Sequence, residues 1–235
     1  MAVFYAARIA RWDLLHSVSI LTRFITKWTR AHDKMLCRLM AYISQNLSDC
    51  LTGYIGDKAE DLFLGIYVDA DHGGDVNDCK ATTGAIIVLR GPNTWFPLAV
   101  ICKKQTSNSN GTCEAEMVAA SHALRLEAIP IQQLWESYLG RPVRMVLYED
   151  NQGTIDVINK GYSPQLRHLL KTQKCCIDLV HSIVHQLKIA EVEKIGTEKQ
   201  AADIFTKALG GPAWANALQL LHMERGSKSL VTSRA

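Results

Sequence analysis

From residue 62 onward the apolar residues recur with the short period of strands. The runs 62–68, 84–89 and 95–102 are rich in Ile, Val, Leu and aromatic residues and are joined by short polar connections. Three such runs in succession predict an antiparallel meander. The period then lengthens: Met117, Ala120, Leu124, Ala128 and Ile131 fall on one side of a helix over 114–138, which Pro130 is expected to kink or shorten. A fourth strand at 143–148 leads into a helix at 152–159. After a break at 161–164 come a helix at 165–186, a fifth strand at 187–195 and a helix at 198–209. A Gly210-Gly211-Pro212 break opens a last short helix near 214–222, and the tail beyond it is expected to fray. The order predicts an α/β layer fold in which three antiparallel strands and two further strands form one five-stranded sheet flanked by helices.

Upstream of this pattern lie two amphipathic segments, 13–29 and 33–45, and a turn-rich passage at 46–60. Their first 31 residues are rich in basic and poor in acidic groups, as in a transit peptide. Leu14, Val18, Leu21, Ile25 and Trp28, however, recur at helical spacing, which favours a core helix. The N-terminal part, residues 1–56, is therefore a helical appendage to a domain at 62–209, and 210–235 forms a C-terminal helix and tail.

Composition narrows the class. Of 235 residues, 48% are hydrophobic and 21% charged, which excludes a disordered or fibrous chain. The net charge of +3 permits a nucleic-acid partner without requiring one. Seven cysteines with no Cys-x-x-Cys pair point to a reduced, intracellular chain, cytoplasmic or nuclear, without structural zinc. No apolar run reaches the length that crosses a bilayer, so no membrane partner is expected.

The stretch "GIYVDADHGGDVND" gathers Asp69, Asp71, Asp75 and Asp78 after an apolar run. A calcium loop counted from Asp69 fails, because its fifth and twelfth positions hold Gly73 and Lys80. A polymerase Tyr-x-Asp-Asp turn fails too, since Ala70 separates the carboxylates. A polar turn after a strand remains open on local grounds. Three more acids stand at element boundaries: Glu116 in the first turn of the long helix, Asp150 at the end of the fourth strand, and Asp203 early in the helix over 198–209. Each alone is an ordinary cap or turn residue. Four at successive boundaries of one sheet repel one another unless hard divalent cations neutralise them. Two magnesium ions roughly 4 Å apart can activate a water and hold a scissile phosphate.

The motifs "YVDAD", "KKQ" followed by "CEAEMVAAS", "YEDNQ" and "QAADIFTKAL" resemble, in order and spacing, the ribonuclease H region of copia-type retrotransposon polyproteins. The segment "YAARIARWDLLHSVSILTRFITKWT" resembles the stretch that joins the polymerase to ribonuclease H in those polyproteins, so residues 1–56 look like the trailing end of a reverse transcriptase. The resemblance implies a ribonuclease H-like fold and a catalytic metal site at Asp69, Glu116, Asp150 and Asp203. It implies two Mg2+ ions, with Mn2+ able to substitute, and cleavage of the RNA strand of RNA–DNA hybrids. A polymerase region supplied by another chain is a possible partner. Asp71 shares the strand face of Asp69 and competes for the first place; with Asp69 on the strand, Asp71 is expected either in the turn or around the metal site without touching the ion. The implied nucleic-acid contacts are Gln105, Asn151, Gln152, Arg167 and His168.

Lys103 and Lys104 precede a Ser/Asn/Gly loop and are candidate phosphate contacts, with a solvated strand end as the alternative. His181 and His185 sit four apart on a predicted helix without the Glu or third ligand that zinc would need. A decayed fragment that binds nucleic acid or a protein without cleaving is the rival reading to the enzyme.

Overall fold

The computed structural model describes residues 2–74 and 78–226; Asp75 and the expected frayed tail lie outside the described residues. By its contacts the chain divides into two compact units: residues 53–209, and the residues up to Thr52 together with those from Gly210 onward.

The larger unit holds a five-stranded sheet. Its strands are β1 (Phe63–Asp71), β2 (Thr82–Gly91), β3 (Thr94–Lys104), β4 (Met145–Glu149) and β5 (Ala190–Lys194), in the spatial order β3-β2-β1-β4-β5. Strand β2 pairs antiparallel with β1 and β3, as the short connections require, while β1–β4 and β4–β5 are parallel. This is the mixed five-stranded sheet that the order of elements predicts, in keeping with the ribonuclease H-like fold that the resemblance implies. Alternation assigns the faces. Leu64, Ile66 and Val68 of β1, with Ala85, Ile87 and Leu89 of β2, join Met117, Ala120 and Leu124 of the following helix in one buried cluster.

That helix is unbroken in path from Thr112 to Leu139 but changes gauge. It is α-helical over Thr112–His122 (α1), widens to a π-turn over Ala123–Ala128, and resumes over Ile129–Leu139 (α2) with Pro130 in its first turn. A proline ring clashes with the carbonyl four residues back in a regular helix, and the first turn is where its missing N–H costs least. The expected kink is thus absorbed as a wider turn. Helix α3 (Gln152–Lys160) ends at Gly161, whose φ of 75° closes the cap; a Cβ there would lie 2.7 Å from the His181 ring.

Two predicted helices differ. The stretch 165–186 is broken into Leu169–Thr172, Ile177–His181 and a π-turn over Ser182–Gln186, with Lys174 at a φ of 54° between the first two. Instead of continuing a helix, Gln173 turns inward, and its side chain donates to the Ser107 carbonyl at 2.9 Å. The stretch 198–209 is two short 3-10 turns, Thr197–Lys199 and Asp203–Phe205. Between them buried Gln200 donates to the Val68 carbonyl at 2.8 Å, drawing the chain across the sheet. The expected strand at 187–195 is shorter, and β1 to β3 are longer than predicted, so Asp71 is the last residue of β1, paired with Thr82, rather than a turn residue.

In the smaller unit, the predicted helix 13–29 is a 3-10 turn at Trp12–Leu14, a helix at Leu15–Thr22 and a second 3-10 turn at Ile25–Lys27; Ala2–Ile9 and Arg30–Gln45 are also helical. Leu14, Val18 and Leu21 are buried, but Ile25 and Trp28, past the helix end, are exposed. The helix Gly211–Leu220 belongs to this unit, where Trp214 meets Tyr42 edge to face and Met223–Glu224 pairs antiparallel with Cys50–Leu51. Arg11 bridges to Asp13 at 2.8 Å, and Tyr42 donates to the same carboxylate. Among the described residues no helix is long and apolar enough to cross a membrane.

Candidate active site

The parallel ladder between β1 and β4 stops at Tyr67↔Tyr148. Beyond it the two strands part, leaving a crevice at their carboxyl ends, where open α/β sheets bind ligands. Asp69 from β1, and Glu149 and Asp150 from the end of β4, stand at this gap. Small side chains close the third side. Ala70, Ala81, Ala115 and Ala119 form a compact buried cluster that lets the start of α1 lie close to the end of β1 and brings Glu116 to the crevice. One carboxylate oxygen each from Asp69, Glu116 and Asp150 lies within 4.8 Å of the others. A cavity of about 340 Å³ opens over them and is also lined by Asp71, Asn151 and Lys207.

Asp203 reaches the site by another route. Asp69 pairs across the sheet with Gly84, and a Cβ at Gly84 would stand 2.5 Å from Thr206 Cγ2 and 3.0 Å from the Ala202 carbonyl. The bare glycine lets the turn 202–206 settle on the sheet. From that turn the Thr206 hydroxyl donates to Asp69 Oδ2, and Lys207 Nζ lies 3.0 Å from Asp69 Oδ1 and 2.8 Å from Asp203 Oδ1. Asp203 is thus joined to the other acids through a lysine.

The electrostatics are those of a cluster short of positive charge. Burial, then Glu149, Asp69 and Asp150, push the Glu116 carboxyl up to about 11. Burial chiefly pushes Glu149 up to about 8, with Asp150 and Asp69 adding to it. Burial and Asp69 raise Asp203 to about 6, against the pull of Lys207. The ammonium of Lys207 is lowered by burial but raised more by Asp69 and Asp203, so it is held charged. One oxygen of Glu116 and one of Glu149 are buried without a hydrogen-bond partner. An orphaned buried carboxylate oxygen is costly, and a hard divalent cation is the ligand that such oxygens fit.

Asp71 and Asp78, the other described acids of the aspartate-rich stretch, are not members of this triad. Asp71 lines the cavity with its carboxylate against Gly74. Asp78 pairs with Lys104 at 2.8 Å.

The residues singled out for nucleic-acid contact are dispersed around the site. Lys103 is exposed on the edge strand β3, and Lys104 beside it is held by Asp78. Asn151 caps α3 by accepting from the Thr154 N–H at 3.0 Å, and its own N–H donates to Glu149. Gln152 is exposed and accepts from Lys194. Arg167 donates to the Pro164 carbonyl. His168 bonds with Nε2 to Glu114 at 3.0 Å, and Asn110 donates to the other oxygen of that carboxylate.

Gln105 is buried. Its amide donates to Thr83 Oγ1 and the Ala115 carbonyl, and its oxygen accepts from Ser109 and Gln173. It therefore holds the loop that leads into α1. The rings of His181 and His185 bond to the Ile158 carbonyl and to Asn159.

Sequence reasoning missed Glu149, Thr206 and Lys207. Glu149 follows Met145 and Leu147 in the alternation, at a place where an apolar residue is due, and Lys207 stands four residues after Asp203. Both signals were legible.

No protein-family model matches the chain. It is 26% identical over 213 residues to the retrovirus-related Pol polyprotein from transposon TNT 1-94 of Nicotiana tabacum, a match covering 88% of this chain and 15% of that polyprotein. It is 27% identical over 209 residues to the corresponding polyprotein from transposon RE1 of Arabidopsis thaliana, covering 88% of this chain and 13% of that one. The chain spans about one seventh of the length of these relatives. Among solved structures, the N-terminal RNase H domain of Rv2228c from Mycobacterium tuberculosis is similar with a TM-score of 0.41 at 13% identity, covering 68% of this chain and 96% of that one. The resemblance to retrotransposon Pol polyproteins carried by the sequence motifs therefore extends over most of the chain.

Proposed function

We propose, on the premise of this kinship with copia-type retrotransposon Pol polyproteins, that the domain at 53–209 is a metal-dependent nuclease that hydrolyses the RNA strand of RNA–DNA hybrids. The observation that carries the reading is the convergence of Asp69, Glu116 and Asp150 within 4.8 Å in an open crevice, with a buried Glu116 oxygen left unpaired. All-oxygen donors of this kind suit Mg2+, with Mn2+ as a substitute. Bound there, a divalent ion supplies a Lewis acid for the scissile phosphate and a more acidic water. Asp69, Glu116 and Asp150 would hold one ion, and Asp203 with Asp69 would hold a second in a two-ion site.

The protein's own side chains do the rest. Asn151 fixes Glu149 and the start of α3, so that Asp150 keeps its place at the strand end. Thr197 donates to Asp150 Oδ2 at 3.2 Å and orients the carboxylate. Lys103, Gln152, Arg167 and His168, on exposed or partly exposed positions around the crevice, supply contacts to the hybrid backbone. Gln105 acts from beneath, by holding the loop before α1. The remaining length of the relatives makes a polymerase region the natural companion of this domain.

The test is a cleavage assay on the purified chain with labelled RNA–DNA hybrid and the same-sequence DNA duplex, in Mg2+ and in chelator. Hybrid should be cut only with metal, and the DNA duplex should survive, because recognition through 2′-hydroxyls distinguishes them. Equal cutting of both would remove the hybrid specificity. An uncut hybrid bound by a folded, metal-loaded chain would leave a binding module.

A further inference from the structure

We propose that Lys207 is a built-in cation of the acidic site, occupying the place between Asp69 and Asp203 so that the free protein binds one divalent ion and admits a second only when the ammonium is displaced. This rests on the metal-site reading above and goes beyond it by assigning the order in which the site fills.

Position carries the argument. The Lys207 ammonium lies 3.0 Å from Asp69 Oδ1 and 2.8 Å from Asp203 Oδ1, the point at which a bridging cation would sit. It has donors and no acceptor, so two carboxylates hold it with charge-assisted bonds. The other oxygen of Asp69 takes the Thr206 hydroxyl. Both oxygens of Asp69 are thus engaged by neighbouring residues of one turn, and the ammonium holds the place between Asp69 Oδ1 and Asp203 Oδ1 that a second, bridging ion would need. Among the described residues, the acids close enough to share an ion are Asp69, Glu116 and Asp150; Asp203 is outside that group.

An ordinary surface pair does not account for this. Lys207 and Asp203 are four residues apart, as in many exposed helical pairs, but Asp69 is 138 residues away and its side chain is 2% exposed. The close approach at Gly84 fixes the turn that delivers the ammonium. The lysine can also leave. Its side chain is 38% exposed and it lines the open cavity, and an ammonium on a four-carbon stem moves without rearranging the backbone. Lys207 is in this sense a positioning residue: it keeps Asp69 and Asp203 together without a second metal.

The test is isothermal titration of the full chain with MnCl2 in the absence of nucleic acid, using the unmodified protein, Lys207→Met and Lys207→Gln. The unmodified chain should take one ion. Both variants should take two, or should bind the second at least tenfold more tightly than the unmodified chain does. Two ions of equal affinity in the unmodified chain, or no ion, would overturn the proposal, as would variants that titrate like the parent. If thermal melting shows that a variant does not fold, the stoichiometry of the unmodified chain decides. Because no hybrid is present, the result is separate from the nuclease reading: an uncut hybrid with the one-ion and two-ion pattern intact rejects hydrolysis and leaves the role of Lys207 standing.

Discussion

Two buried polar clusters adjoin the first turns of α1, and they handle burial in opposite ways. Around Gln105 every donor and acceptor of the side chain is matched, by Thr83, the Ala115 carbonyl, Ser109 and Gln173, and Gln173 in turn takes Thr106 and Ser107. Beside Asp69 the carboxylates of Glu116 and Glu149 are just as buried, but they carry like charge, and each keeps an oxygen with no partner. A satisfied network rigidifies; an unsatisfied one is costly until something arrives to complete it. The difference separates scaffold from site using hydrogen bonds alone, without reference to any relative.

Three experiments press on that contrast. The largest effect is expected at the unsatisfied cluster. Asp150→Asn should lower hybrid cleavage by about three orders of magnitude, comparable to other losses of charge stabilisation in active sites, while hybrid binding survives. The metal-free variant should be no less stable than the parent, because one member of a repelling group has become neutral. A metal-free melting temperature that falls, with Mg2+ shifting both forms equally, would make these acids structural.

At the satisfied cluster the sign reverses. Gln105→Leu leaves Thr83, Ser109, Gln173 and the Ala115 carbonyl short of partners and should cost about 3 kcal/mol in urea denaturation. A loss below about 0.5 kcal/mol would show that the network is dispensable.

The smallest effect is the dependence of metal-free stability on pH. Glu149 and Glu116 have folded values raised to about 8 and about 11. A raised acid holds its proton in the folded state after the unfolded chain has released it, so stability is greatest below the unfolded value and falls as pH rises toward the folded one. His16, lowered to about 4 by burial, acts in the opposite sense, but only below the ordinary histidine range. Between pH 6.5 and 8 the carboxylates should therefore dominate, and stability should fall by on the order of 1 kcal/mol per pH unit. Glu116→Gln should flatten that slope, and a slope unchanged in the variant would count against the electrostatic account.

The sheet and its order were legible because alternation at 62–68, 84–89 and 95–102 is strong and the connections are short. Asp69, Glu116, Asp150 and Asp203 could be singled out by their places near predicted element boundaries and by the motifs that carry the resemblance, although Glu116 lies one turn into α1 and Glu114 is the acid of its first turn. What was not legible depended on distant partners. Residues 165–186 and 198–209 have helical composition, but Gln173 and Gln200 reach across to Ser107 and Val68, and those long-range bonds override local propensity. Lys207 was visible as a neighbour of Asp203, whereas its second contact, with Asp69, exists only once the sheet and the last turn have met.

That meeting has a consequence for how the domain folds. Thr206 and Lys207 contact Asp69 across 137 and 138 residues, among the longest loops the larger unit must close. Contacts of such sequence separation are entropically expensive to form early. The Asp203 side of the site is then expected to close only after the transition state has been crossed, so that an ion needing it acts on the finished structure rather than on its assembly. Magnesium should slow unfolding in stopped-flow measurements and leave the refolding rate unchanged. Faster refolding in magnesium would instead place the closing of the 202–206 turn on β1 among the first events of folding.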